Sequence, residues 1–167
     1  MHKKTSNSPV LDEQHAEFIT QRVSILVASC NADRMPSLTR SFGCRVSPDR
    51  CTVTLFLSVP RSESLLRDLR AGGAIAVVFS RPSTHETLQL KGASASIVPI
   101  DVDDRARMRT YGESLADDIR QIGWQEPFVS ALVTVLGEEA VGVSFTPNAA
   151  FVQTPGPAAG RRLEPNP

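Results

Sequence analysis

The residues that could do chemistry are few and scattered. The three histidines, His2, His15 and His85, fall far apart, with none of the spacings that place imidazoles around a metal ion. His2 and His15 read as solvated or packed side chains. His85 lies in Ser83-Thr84-His85, a polar loop between two predicted strands, where a ligand could reach it. The three cysteines, Cys30, Cys44 and Cys51, are odd in number and contain no C-x-x-C pair. They therefore suggest neither a disulfide framework nor a zinc site, and are expected to be buried small hydrophobes. No glycine-rich phosphate loop is present. Gly72-Gly73 follows a helical stretch, where a helix stop explains it. No Gly-x-Ser-x-Gly elbow occurs. With no catalytic set of its own, the chain either only binds, or lets a cofactor supply the chemistry.

Composition narrows the setting. A chain of 167 residues with 41% hydrophobic content can bury a sizeable core without disulfides or metals. Eighteen basic residues balance eighteen acidic ones. A broad nucleic-acid surface would need a basic excess, so none is expected. The basic residues near Met1 are followed by no apolar run, and no stretch reaches the roughly 18 apolar residues of a membrane span. A reduced, cytoplasmic, soluble protein with no membrane partner is the resulting expectation.

The elements that would position any site follow from periodicity. Residues 1–8 are polar and expected to be disordered. Ser8-Pro9 reads as a helix start, leading to a short amphipathic helix over 12–20. The period then shortens to that of strands: 24–30, 38–46 and 51–57, separated by polar turns, predict an antiparallel meander. Ser62 can cap a helix over 63–71, with Leu65, Leu66 and Leu69 as its apolar stripe. Residues 74–79 are apolar throughout and predict a central strand. Residues 87–95 alternate and predict a fifth strand. Residues 103–120 predict one or two surface helices and 127–136 another; 140–145 predict the last strand. Residues 155–167 hold four prolines and two glycines and are expected to form an extended tail. The expected layout is one domain over 9–154, a small barrel with helices at its ends.

In this order and spacing the chain resembles the pyridoxamine 5′-phosphate oxidase-like family. The resemblance is carried by Met35-Pro36-Ser37-Leu38-Thr39-Arg40-Ser41-Phe42-Gly43-Cys44-Arg45-Val46 after the first strand and by the helix with Leu66-Arg67-Asp68-Leu69-Arg70-Ala71. Leu88-Gln89-Leu90-Lys91-Gly92 beyond it and the tail Gln153-Thr154-Pro155-Gly156-Pro157 complete it. It covers about residues 16–163. It implies a mainly β fold with helices (α+β), a six-stranded antiparallel split β-barrel. It further implies a homodimer with an FMN in each cleft between subunits, and a small-molecule substrate for an oxidoreductase. Relatives that use deazaflavin or haem keep those cofactors, or none, as alternatives.

Carried over residue by residue, the resemblance makes Arg40 the phosphate-binding arginine of the second strand, with Thr39 one position away as the alternative register. Arg45 falls where the oxidases have a substrate-binding lysine. Ser58, Ser62 and Ser64 fall near the hydroxyls at the start of the helix after the third strand. Gln89 and Lys91 fall in the strand that offers side chains to the flavin. The family lysine expected in the helix is replaced by Leu65, which also completes the apolar stripe.

Overall fold

The computed structural model describes residues 9–134 and 139–164. Helix α1 (Glu13–Phe18) is capped by Asp12, whose carboxylate accepts the His15 N–H. The helix thus starts later than Ser8-Pro9 suggests; Ser8 itself lies outside the described residues. Strand β1 (Ser24–Cys30) runs as its β-branched and apolar residues predict.

The segment 38–46 is not one strand. It divides into β2 (Pro36–Ser41) and β3 (Cys44–Val46), which belong to different sheets. The break is at Gly43, whose φ of +116° lies in the region that favours glycine. A Cβ there would also lie 3.2 Å from the Tyr111 Cβ. Strand β4 (Val53–Ser58) follows, then α2 (Glu63–Arg70), stopped at Gly72 with a φ of +88°. Strands β5 (Ile75–Ser80), β6 (Thr87–Gly92) and β7 (Ser96–Val98) lead to one long helix, α3 (Val102–Gln121). Asp101 and Asp104 form a reciprocal capping box at its start. Helix α4 (Phe128–Val133) is shorter than the predicted span, of which 135 and 136 lie outside the described residues. Strands β8 (Ala140–Phe145) and β9 (Ala149–Val152) complete the chain.

Two antiparallel sheets result, β2-β1-β5-β6-β9 and β3-β4-β8-β7. Among the described residues the two sheets hold nine strand segments, five and four. The apolar β5 holds the centre of the first sheet. Ile25, Val27, Val77, Phe79 and Leu90 point from that sheet into the main core, which also holds Leu55, Leu57, Leu65, Leu66 and Leu69. Strand β4 is buried at every residue. Val53, Leu55 and Leu57 enter the main core, while Phe56 joins Phe42, Met108 and Ala140 in a second cluster. After β9 the chain folds back along that edge strand. The Val152 N–H donates to the Arg161 carbonyl at 2.9 Å and the Leu163 N–H to the Ala150 carbonyl at 2.9 Å. This covers an edge that would otherwise expose unpaired backbone groups.

Only Cys44 of the three thiols is buried; Cys30 is exposed and Cys51 half-buried, and none forms a disulfide. Cys30 sits at the outward-facing end of β1, where strand alternation turns it from the core. Among the described residues no helix is long and apolar enough to cross a membrane, and no cluster of His, Cys, Asp or Glu could hold a metal ion.

Candidate functional site

Strand alternation gives the five-stranded sheet two faces. One is the core. On the other, the pairing register aligns two rows across all five strands: Arg40, Leu26, Val78, Gln89 and Phe151 in one, and Leu38, Ala28, Ala76, Lys91 and Ala149 in the next. This outer face is apolar for a solvent-facing sheet. Leu38 is 66% exposed and Leu26 38%. Its polar side chains include three of the sequence candidates, Arg40, Gln89 and Lys91. Arg40 and Gln89 stand in one row, three strand spacings or about 14 Å apart.

The geometry around each differs. Arg40 is half-buried, and its Nη1 is buried with no hydrogen-bond partner. Its guanidinium lies beside the Tyr111 hydroxyl, which is likewise buried. Burial pushes the Tyr111 phenol well above its ordinary pKa, and the Arg40 charge partly opposes that shift. Gln89 accepts from the Gln153 amide at 3.4 Å. Lys91 places its ammonium 5.1 Å from the centroid of the Phe151 ring.

The remaining candidates lie elsewhere. Arg45, on β3, donates from Nε to Asp104 Oδ1 at 2.9 Å and is held against α3. Ser58 is fully buried at the end of β4. Ser62 occupies the N-cap position of α2, but its hydroxyl makes no cap hydrogen bond. Instead its Oγ lies 3.2 Å from Thr39 Oγ1, and Thr39 also donates to the Arg61 carbonyl at 3.1 Å. Ser64 is exposed on α2. Leu65 is 1% exposed within the main core, so at this position the apolar stripe explains the residue. His85 is exposed, with a φ of +60° in the turn between β5 and β6.

The structure therefore brings Arg40, Gln89 and Lys91 to one face, and Ser62 to Thr39 on the opposite face of β2. It does not bring Arg40 to Ser62. Sequence reading missed Gln153, Tyr111 and Asp104. The capping pattern Asp101-x-x-Asp104 was the available signal for Asp104; Gln153 enters only within the tail motif and Tyr111 carried no signal, because both meet their partners through long-range pairing.

No family model matches the chain, and no curated protein does. Solved structures do. A Lactobacillus delbrueckii protein assigned as a pyridoxamine 5′-phosphate oxidase aligns with a TM-score of 0.54 at 14% identity, over 91% of this chain and 100% of that one. The two-sheet topology and this near-complete alignment decide the fold. The chain has the split-barrel fold of the pyridoxamine 5′-phosphate oxidase-like proteins. Group A Streptococcus HupZ aligns with a TM-score of 0.53 at 16% identity, over 90% of this chain and 100% of that one. An F420 reductase aligns with a TM-score of 0.50 at 16% identity, over 84% of this chain and 98% of that one. Split barrels thus serve more than one chemistry, and function has to be argued from the site.

Proposed function

We propose that this split barrel is an FMN-binding flavoprotein, an oxidoreductase acting on a small molecule, whose cofactor sites form where two copies pack the outer faces of their five-stranded sheets. The observation that carries this reading is the outer face itself. It is apolar across five strands, yet holds Arg40 with a buried, unpartnered Nη1, and Gln89 with its amide held by Gln153. An apolar face of this kind is ordinarily covered by a partner. A buried guanidinium N–H without a partner is costly, and an oxyanion satisfies it with a charge-assisted bond.

The residues present fit a flavin mononucleotide in this way. Arg40 would hold the phosphate. Leu26, Ala28, Ala76 and Val78 would pack the ring. Gln89, oriented by Gln153, would hydrogen-bond the ring's polar edge. When bound, the flavin supplies hydride or electron transfer between a reduced donor and an acceptor, and the protein's part is to bind, orient and exclude water. Haem fits less well among the described residues: neither His15, which is bonded to Asp12, nor His85, in the β5–β6 turn, stands on a strand of this face.

The absorbance spectrum of the purified protein, followed by titration with FMN, riboflavin, deazaflavin and haem, tests the proposal. FMN should bind with flavin bands and more tightly than riboflavin. Binding of haem or deazaflavin in preference to FMN would assign the face to that cofactor, and binding of none would overturn the cofactor reading.

A further inference from the structure

A second site lies away from the outer sheet face. A cavity of about 830 Å³ opens between β3 and α3; it shares no lining residue with the two rows described above, although Tyr111, the neighbour of Arg40, forms part of its wall. Its volume falls within the range of small-molecule sites. We propose that this cavity binds a small organic oxyanion, a carboxylate or phosphate monoester carrying an apolar body, clamped by Arg45 and Arg107. The inference does not rest on the flavin reading.

The clamp is built around one carboxylate. Asp104 is 1% exposed, and its Oδ1 receives both Arg45 Nε at 2.9 Å and Arg107 Nη1 at 3.4 Å. Its Oδ2 accepts the Asp101 N–H as part of the helix cap. The two reaching nitrogens therefore lie within roughly 6 Å of each other, a span that one oxyanion bridges with an oxygen toward each fork. Each guanidinium carries five N–H donors and spends only one nitrogen on Asp104. Both side chains stay about half exposed, 42% for Arg45 and 50% for Arg107. Pinning α3 to β3 needs one arginine per carboxylate. With Asp103 also lining the cavity, two carboxylates balance the two arginines, and what the second arginine adds is free N–H donors rather than net charge.

The lining defines the rest of the ligand. Thr110 offers a hydroxyl from α3, Ser114 being engaged by the Tyr111 carbonyl and the Arg22 N–H, while Val46 and Ala106 offer apolar surface. Asp103 also lines the cavity, one turn from Arg107 on α3, and opposes a second negative group. A ligand with one charged head and an uncharged, apolar body meets these conditions.

Calorimetric titration of the full chain with benzoate, phenyl phosphate and inorganic phosphate tests this. Benzoate or phenyl phosphate should bind saturably, and the preferred one identifies the head group. Arg107→Gln keeps the Arg45–Asp104 pair, so the fold should hold while affinity drops about tenfold or more. Ala106→Phe fills the cavity without changing a charge and should also weaken binding. FMN affinity should be unchanged in both variants, which separates this site from the outer face. The proposal is overturned if neither organic anion binds saturably. It is equally overturned if inorganic phosphate binds as well as phenyl phosphate and Ala106→Phe changes nothing, since that is charge screening at a surface.

Discussion

Thr39 Oγ1 stands 3.2 Å from Ser62 Oγ, whereas Arg40, one residue along the same strand, faces the opposite side of β2 beside Tyr111. A strand's period of two forces this separation. It divides the side chains proposed for phosphate recognition into two groups with different roles, and mutation can tell them apart. Arg40→Ala should weaken FMN binding by about 1.5–3 kcal/mol, the range for a charged hydrogen bond, and leave riboflavin nearly unaffected. Ser62→Ala should leave both affinities alone and cost about 1 kcal/mol of stability, because its hydroxyl serves Thr39. Equal loss of FMN and riboflavin in Arg40→Ala would remove Arg40 from the phosphate.

Leu65 offers a second discrimination. A cation at this point of the helix would help only if its side chain reached the phosphate. Leu65 is instead enclosed with Leu66 and Leu69 in the main core. Leu65→Lys should therefore leave FMN affinity no tighter and lower unfolding stability by at least about 3 kcal/mol, since an unpaired ammonium in the core is costly. Denaturant titration and FMN titration of this one variant decide it; tighter FMN binding at undiminished stability would contradict the core placement.

Much of the fold is legible where local signals are strong. Ser24–Cys30 and Ala140–Phe145 form strands at the boundaries their residue types indicate, and Gly72 ends α2 where expected. The reading fails where partners are distant in sequence. Residues 38–46 look like one strand because no cluster of turn residues interrupts them, and the close approach at Gly43 involves Tyr111 arriving from α3. Strands β7 and β9 are short and are specified by pairing with β8 and β6 rather than by their own residues. The site is harder still. Arg40, Gln89 and Lys91 are nameable from their order, but only the register shows that they share a face while Arg45 and Ser62 do not.

The outer face makes a prediction about assembly. Leu38 and Leu26 are exposed apolar residues on neighbouring strands, with Ala28 and Ala76 continuing the surface. Burying them between two copies removes that area from water on both. Light scattering should give about twice 18.1 kDa for the wild type. Leu38→Glu should shift the protein to monomer with its circular dichroism unchanged, and FMN affinity should fall with it. A wild-type monomer would overturn the dimer, and a Leu38→Glu dimer would place the interface elsewhere.

Cys44 sets a pH dependence that can be isolated. Its thiol is buried under the sheet break, donates to the Ile19 carbonyl at 3.2 Å, and has its pKa pushed by burial from 9.0 to about 12. The cause is the cost of placing a thiolate in apolar surroundings. In the unfolded chain the same thiol ionises near its ordinary value. A raised folded pKa favours the fold while both states are protonated. The contribution of Cys44 is therefore complete below 9.0 and is lost as pH rises toward about 12. Over that window stability should fall by about 1.4 kcal/mol per pH unit from this group alone. Tyr111, shifted upward for the same reason, adds to the loss at higher pH. Cys44→Ala removes the thiol but leaves Tyr111. Denaturant unfolding of wild type and variant across the window should give curves that converge as pH rises, the variant being less stable at neutral pH and shallower in slope. Parallel curves would mean that the Cys44 thiol ionises no differently in the fold than in the open chain, and that water reaches it behind β3.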